Sequence, residues 1–153
     1  MVIQRIVSGG QTGVDRAAQD VARELGVPSG GWCPKGRTAE DGVLAACYKM
    51  KETPTADYPL RTEWNVRDSD ATLVLTRGEP TEGTAFTIEL ARRLRKPSVV
   101  VDLAQQTNIS PLLDWISAHN IQTLNIAGPR ESKCPGIYAE ASKFLRHVLS
   151  SGQ

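Results

Sequence analysis

A chain of 153 residues has room for one domain and not comfortably for two, since compact domains commonly run to roughly 100–150 residues. With 40% hydrophobic and 23% charged residues, 13 Gly and 9 Pro, the composition excludes a disordered tail or a fibre. Eighteen Lys+Arg against 17 Asp+Glu leave a formal net charge of +1, which excludes the basic field of a protein that coats nucleic acid, so any anion has to be bound locally. No apolar run approaches the roughly 18–20 residues that cross a bilayer, and Met1 to Ile6 is too short for a signal segment. Cys33, Cys47 and Cys134 are odd in number and far apart, forming neither a disulfide framework nor a metal knuckle. The expectation is a cytoplasmic protein in a reducing compartment, with no membrane and no nucleic-acid partner.

In chain order, Val2 to Val7 is a β-branched run that stops at Ser8-Gly9-Gly10, and Val14, Ala17, Ala18, Val21, Ala22 and Leu25 then recur at helical spacing up to Gly26. Gly30 to Arg37 is dense in Gly and Pro and predicts a loop with charged tips. Residues 38–60 predict irregular structure with one helical turn around Leu44 to Tyr48. Arg61 to Asp68 predicts a short helix, and Ala71 to Thr76 a strand buried on both faces. Helical spacing returns with Phe86, Leu90, Ala91 and Leu94. Pro97 to Val101 predicts a strand, Ser110 an N-cap with Pro111 at the first helical position, Thr123 to Ile126 another strand, and Ile137 to Val148 a final helix. Strand, loop and helix alternating four or five times imply a parallel sheet covered on both faces. The expected fold is a single α/β domain over residues 1–153, a Rossmann-like three-layer sandwich with a mainly parallel central sheet.

In such sheets the ligand crevice lies beyond the carboxyl ends of the strands. Ser8 to Gly13 joins a strand directly to a helix. Gly9, Gly10 and Gly13, with Gln11 and Thr12, form either a cradle for a phosphate or a tight turn in which the glycines only pack. The segment matches neither GxGxxG nor GxxxxGK[ST]. Gly83-Thr84 precedes the next helix and either supplies a hydroxyl and amides to the crevice or, through Thr84, simply caps the helix. Arg130, Glu131, Ser132 and Lys133 follow the last strand and are either anion-binding or a solvated charged run. Lys35 and Arg37 add cations with the same two readings. Trp32 either stacks on a flat ring or seals the core edge; Asp68 and Asp70 either accept from a heterocycle or stabilise a turn; Cys33 is a ligand or an inert buried thiol. His119 and His147 have no third partner and support neither a metal nor a nucleophile–base pair.

Four blocks in order, Ser8-Gly9-Gly10-Gln11-Thr12-Gly13-Val14-Asp15, Gly30-Gly31-Trp32-Cys33-Pro34-Lys35-Gly36-Arg37, Trp64-Asn65-Val66-Arg67-Asp68-Ser69-Asp70 and Ala127-Gly128-Pro129-Arg130-Glu131-Ser132-Lys133, resemble the molybdenum cofactor carrier proteins, within a wider group of Rossmann-like nucleotide-binding domains. The resemblance covers nearly the whole chain. It implies a homo-oligomer, expected to be a tetramer, that carries the molybdenum cofactor or a related phosphorylated ligand without turnover and passes it to molybdoenzymes or receives it from cofactor-synthesis proteins. On this reading Gly9 to Gly13 with Gly83 and Thr84 take the phosphate, and Arg130 to Lys133 with Lys35 surround the anionic end. The cofactor's dithiolene already holds the metal, so no protein ligand to it is required. The rival reading is a nucleoside monophosphate phosphoribohydrolase of the lysine decarboxylase-like type, which carries a PGGxGTxxE signature. Here the stretch is Pro80-Thr81-Glu82-Gly83-Thr84; the double glycine is missing and Glu89 stands about half a helical turn from the required place. A third reading is a nucleotide-sensing domain without chemistry.

Overall fold

The computed structural model describes residues 3–105 and 108–151. Its elements are β1 (Arg5–Val7), α1 (Val14–Glu24), β2 (Ser29–Gly30), β3 (Trp32–Cys33), β4 (Thr38–Ala39), β5 (Gly42–Val43), β6 (Lys51–Glu52), α2 (Tyr58–Arg67), β7 (Ala71–Thr76), α3 (Glu82–Arg93), β8 (Ser98–Asp102), α4 (Ser110–Ala118), β9 (Thr123–Ala127) and α5 (Ile137–Ser151). Five strands form one sheet in the order β2-β1-β9-β7-β8, and each pairing in it is parallel. This is the expected α/β architecture. The order reverses beside β9, which places the carboxyl ends of β1, β9 and β7 around one crevice.

The sheet has two unlike faces. Side chains alternate along a strand, and Ile6, Leu73, Leu75, Leu124 and Ile126 point to one side, where they join residues of α1, α4 and α5 in the main core. On the other side Thr72, Thr76 and Asn125 are buried polar groups, beneath a smaller cluster of Val66, Leu90 and Ala91 with Phe86 and Leu94 from α2 and α3. Helix α3 contacts β7 and β8, while α2 contacts β3 and α3. The seam between these helices therefore runs over the polar side of β9.

Helix α1 ends as its sequence predicts. Gly26 takes φ 73°, and the Val27 and Gly26 amides return to the Ala22 and Arg23 carbonyls at 2.8 and 3.2 Å, closing the helix in a Schellman turn. Helix α2 begins a turn earlier than expected. Asp57 caps it by accepting from the Leu60 amide at 3.2 Å, and Pro59 occupies the first turn, where a missing N–H costs nothing. Ser110 is the first residue of α4 and not its cap; the Asn108 side chain accepts from the Ser110 amide at 3.0 Å. Thr84 is likewise inside α3, with Thr81 at the cap.

The glycine-rich stretch expected as loop contains β2 and β3, and the irregular 38–60 region contains β4, β5 and β6. Each is two residues long, too short to show a period of two in sequence. Strands β3 and β6 pair in parallel, and β4 and β5 form a small antiparallel hairpin. The expected turn at 44–48 is present as one hydrogen bond from the Tyr48 amide to the Ala45 carbonyl, 3.1 Å.

Candidate functional site

A cavity of about 390 Å³ opens where β1, β9, α2 and α3 meet, within the size range of small-molecule sites. The β1–α1 loop contributes Gly9 and Gln11, α3 its first turn with Gly83 and Thr84, and the β9–α5 loop Arg130 and Lys133. These six expected residues come together around it.

At the start of α3, Thr81 makes no side-chain cap to the backbone; its hydroxyl lies 2.9 Å from that of Thr84. The Ala85 amide closes the first helical bond to the Thr81 carbonyl at 2.8 Å. The amides of Glu82, Gly83 and Thr84 have no partner among the described residues, as first-turn amides without a cap do not. They sit at the positive end of the helix dipole, where an anion is favoured.

Arg61 closes the opposite wall. Its Nη1 donates to the Gly9 carbonyl at 2.8 Å and pairs with Asp15 Oδ2 at 3.4 Å. The guanidinium also lies over the Tyr58 ring, 5.1 Å from its centroid. A Cβ on Gly9 would sit 2.3 Å from Arg61 Nη1, so glycine there is what lets the arginine cross the loop. Asp15, in the first turn of α1, also accepts from the Gln11 amide at 3.3 Å. Burial pushes its carboxyl up, against the opposing pull of Arg61 and of the Gln11 and Gly9 amides.

Gln11 and Asn65 are spoken for in different ways. The Gln11 Oε1 accepts from the Thr12 and Glu40 amides at 3.0 and 2.8 Å, and the residue lines the cavity. Asn65 accepts from the Trp32 amide at 2.8 Å and donates to the Trp32 carbonyl at 3.0 Å, fixing β3 against α2.

The other expected site residues lie elsewhere. Gly10 takes φ 81° and packs beneath Leu44. Gly13 takes φ 77°, and a Cβ there would come to 2.3 Å from the Pro129 carbonyl oxygen, so it lets α1 approach the β9–α5 loop. Thr12 and Ser132 meet on Glu40: its Oε2 accepts from the Thr12 hydroxyl and, at 3.1 Å, from the Ser132 amide, while its Oε1 accepts from the Ser132 hydroxyl at 2.5 Å. Burial opposes the charge on Glu40, but these bonds and nearby Arg130 outweigh it and hold the carboxyl below its ordinary value. Glu131 caps α5, accepting from the Gly136 and Tyr138 amides at 2.7 and 3.0 Å. Lys35 is exposed in a turn away from the cavity, its amide bonded to the Thr55 carbonyl at 2.9 Å. Of these residues, Thr12, Gly13 and Ser132 share their loops with cavity-lining residues, while the turn holding Lys35 contributes none.

Trp32 is outside the cavity and stands edge-on to Trp64 at 4.7 Å, its indole N–H on Asp68 at 2.8 Å. Asp70 accepts from the Gln122 and Thr123 amides, both at 2.9 Å, and so ties the entry of β9 to that of β7, a long-range contact and not the local turn. Cys33 is buried, and burial pushes its thiol up. Among the described residues, no group of three or more His, Cys, Asp or Glu side chains is placed to hold a metal ion, and no helix is long and apolar enough to cross a membrane. Glu89 does not reach the cavity; it pairs with Arg92 and Arg93, and the hydrogen bond from Arg92 comes first in pulling its carboxyl down to about 2.

Asp15, Arg61 and Asn125 line the cavity without having been expected there. Asn125 had a readable signal, a carboxamide in the middle of an otherwise apolar strand. Asp15 had another, a carboxylate inside the apolar face of α1. Arg61 had none, because its role depends on how α2 is set against β1.

A comparison with curated proteins gives no significant match. The crystal structure of a "Putative molybdenum carrier protein" from Syntrophus aciditrophicus SB, at 1.45 Å resolution, is 45% identical and superposes with a TM-score of 0.91, covering 97% of this chain and 95% of that one. The model of the circularly permutated YpsA SLOG family matches residues 6–149. With its crevice in the place the parallel sheet dictates and the family pattern extending over nearly all of its length, the chain belongs to the circularly permutated YpsA SLOG family.

Proposed function

We propose that this protein binds and carries a small phosphorylated ligand, the molybdenum cofactor or a closely related compound, in the cavity at the carboxyl ends of β1 and β9. The observation that carries the reading is the meeting of the α3 first-turn amides with Arg61, Arg130 and Lys133 around one cavity. Arg130, Lys133 and an uncapped helix start answer an anion, while the charge of Arg61 is balanced by Asp15. The similarity to a structure described as a molybdenum carrier supports the choice of cargo. The phosphate lies against Gly83 and Thr84, with Arg130 and Lys133 flanking it. Gly9 and Gln11 form the adjoining wall.

Asp15 and Glu89 argue for holding over hydrolysis, although a third carboxylate, Glu82 in the first turn of α3, also lines the cavity. Asp15 is committed to a backbone amide and to Arg61, and Glu89 to two arginines on its own helix, so neither is left poised as an acid or base on the cavity. The test is to incubate the purified protein with nucleoside monophosphates and with molybdenum cofactor, following released base and retained molybdenum with its pterin. Retention of cofactor without release of base is expected. Sustained release of base over many turnovers would overturn the carrier reading.

A further inference from the structure

Asn125 stands where an apolar side chain belongs. Its neighbours Leu124 and Ile126 are wholly buried in the main core, and Asn125 itself, on the other side of the central strand, is 3% exposed. Burying a carboxamide there costs free energy unless its polar atoms are satisfied. One end is: Nδ2 donates to the Thr72 hydroxyl at 3.2 Å, from the residue directly opposite in the β7–β9 register. The oxygen has no partner among the described residues. It is also not sealed in, since the buried unpartnered atoms of the described residues are Gln19 Oε1 and Ser142 Oγ. Because Asn125 lines the cavity, that remaining exposure is exposure to the cavity.

The surroundings define what this end of the cavity accepts. Thr62 and Thr87 line it, but their hydroxyls donate to carbonyls of their own helices, Tyr58 at 3.1 Å and Gly83 at 3.2 Å. Asn65 spends both ends of its carboxamide on Trp32. Tyr58 and Phe86 add aromatic surface to the walls. The floor beneath the seam of α2 and α3 thus carries one anchored carboxamide with an open hydrogen-bonding edge, flanked by aromatic surface and bordered by the mutually paired Arg61 and Asp15. Arg130 and Lys133 come from the β9–α5 loop, while Arg61, its charge balanced by Asp15, stands over the Tyr58 ring and donates to the Thr62 hydroxyl at 3.3 Å.

We propose that Asn125 is the specificity-determining residue of the cavity, hydrogen-bonding the edge of a flat heterocycle while the phosphate of the same ligand lies at the α3 N-terminus. The inference rests on the anion-binding reading above and adds to it the residue that selects a ring-bearing phosphate over a bare sugar phosphate, a single buried carboxamide. Thr72 acts as a positioning residue, holding that carboxamide in register.

Calorimetric titration with three kinds of probe separates the two levels: inorganic phosphate, ribose 5-phosphate, and the ring-bearing GMP and AMP. The unaltered protein is expected to bind at least one of the two nucleotides about tenfold more tightly than ribose 5-phosphate, the size of one well-placed buried hydrogen bond with its desolvation. In Asn125→Leu the gap should fall to about twofold, with ribose 5-phosphate affinity unchanged. Thr72→Val, which leaves Asn125 in place but unanchored, should narrow the gap in the same direction and serves if the leucine variant does not fold. Failure of the unaltered protein to bind phosphate or ribose 5-phosphate would refute the anion-binding reading. Binding of ribose 5-phosphate with no preference for either nucleotide, or a preference undiminished in the folded variants, would overturn the role of Asn125 alone.

Discussion

Glu40 ties together two of the loops that line the candidate site, and replacing it with alanine measures how much that tie contributes. Its carboxylate accepts from the Thr12 hydroxyl in the β1–α1 loop, and from the amide and hydroxyl of Ser132 in the β9–α5 loop. Arg130 Nη1 stands 4.0 Å away. Hydrogen bonds to a charged acceptor are worth about 1.5–3 kcal/mol each when dry. The Glu40 side chain is 20% exposed, so water replaces part of what is lost, and about 2–3 kcal/mol in total is the expected cost of Glu40→Ala. The pH dependence has a definite sign. The carboxyl is held below its ordinary value in the folded protein, so its contribution is complete above the unfolded glutamate pKa and is lost as pH falls through the lower folded value. Urea denaturation of both proteins between about pH 8 and pH 3 should therefore show a constant gap down to about pH 5 that closes below it. A gap under about 0.5 kcal/mol at pH 7, or one that widens in acid, would refute the reasoning.

Other positions carry simpler expectations. Gly13→Ala forces a side chain into a positive-φ site and against the Pro129 carbonyl; a loss of roughly 2–4 kcal/mol is expected, and an unchanged thermal midpoint would contradict the packing described. Arg130→Ala combined with Lys133→Ala removes two cavity cations from loop positions, one half-buried and one exposed, so inorganic phosphate should bind about tenfold more weakly while the circular dichroism spectrum is unchanged. Equal affinity would place the anion elsewhere. Asn65→Ala breaks both bonds to the Trp32 backbone and should cost about 2 kcal/mol, with a red shift of tryptophan emission as β3 loosens from α2.

The parallel sheet was legible because its central strands and helices are long enough to show their periods: β7 reads as a continuous buried run, and α1 as an apolar stripe ended by Gly26. The 29–52 region was not. Its strands are two residues each, held by tertiary contacts such as Asn65 on Trp32, and no local pattern encodes those. The candidate site was legible at the level of loops, since strand ends in a parallel sheet must face one crevice. Which side chains turn inward was not. Thr12 and Ser132 face the same loops' other side because Glu40, nearly thirty residues from Thr12 in one case and ninety from Ser132 in the other, draws them there. Lys35 looked equivalent to Lys133 in sequence, yet its turn is anchored on Thr55 and leads it away. Arg61 enters through a glycine whose missing Cβ makes the space, a fact visible only once α2 is placed.

Mass spectrometry of the small molecules released on denaturing gently purified protein tests the central claim most directly. Binding without turnover in this cavity predicts an intact compound bearing both a phosphate and a flat ring, released in near-equal amount to the protein and lost from the Arg130→Ala, Lys133→Ala double variant. Recovery of a split product, such as free base with sugar phosphate, or of the same compound at the same amount from the double variant, would contradict it.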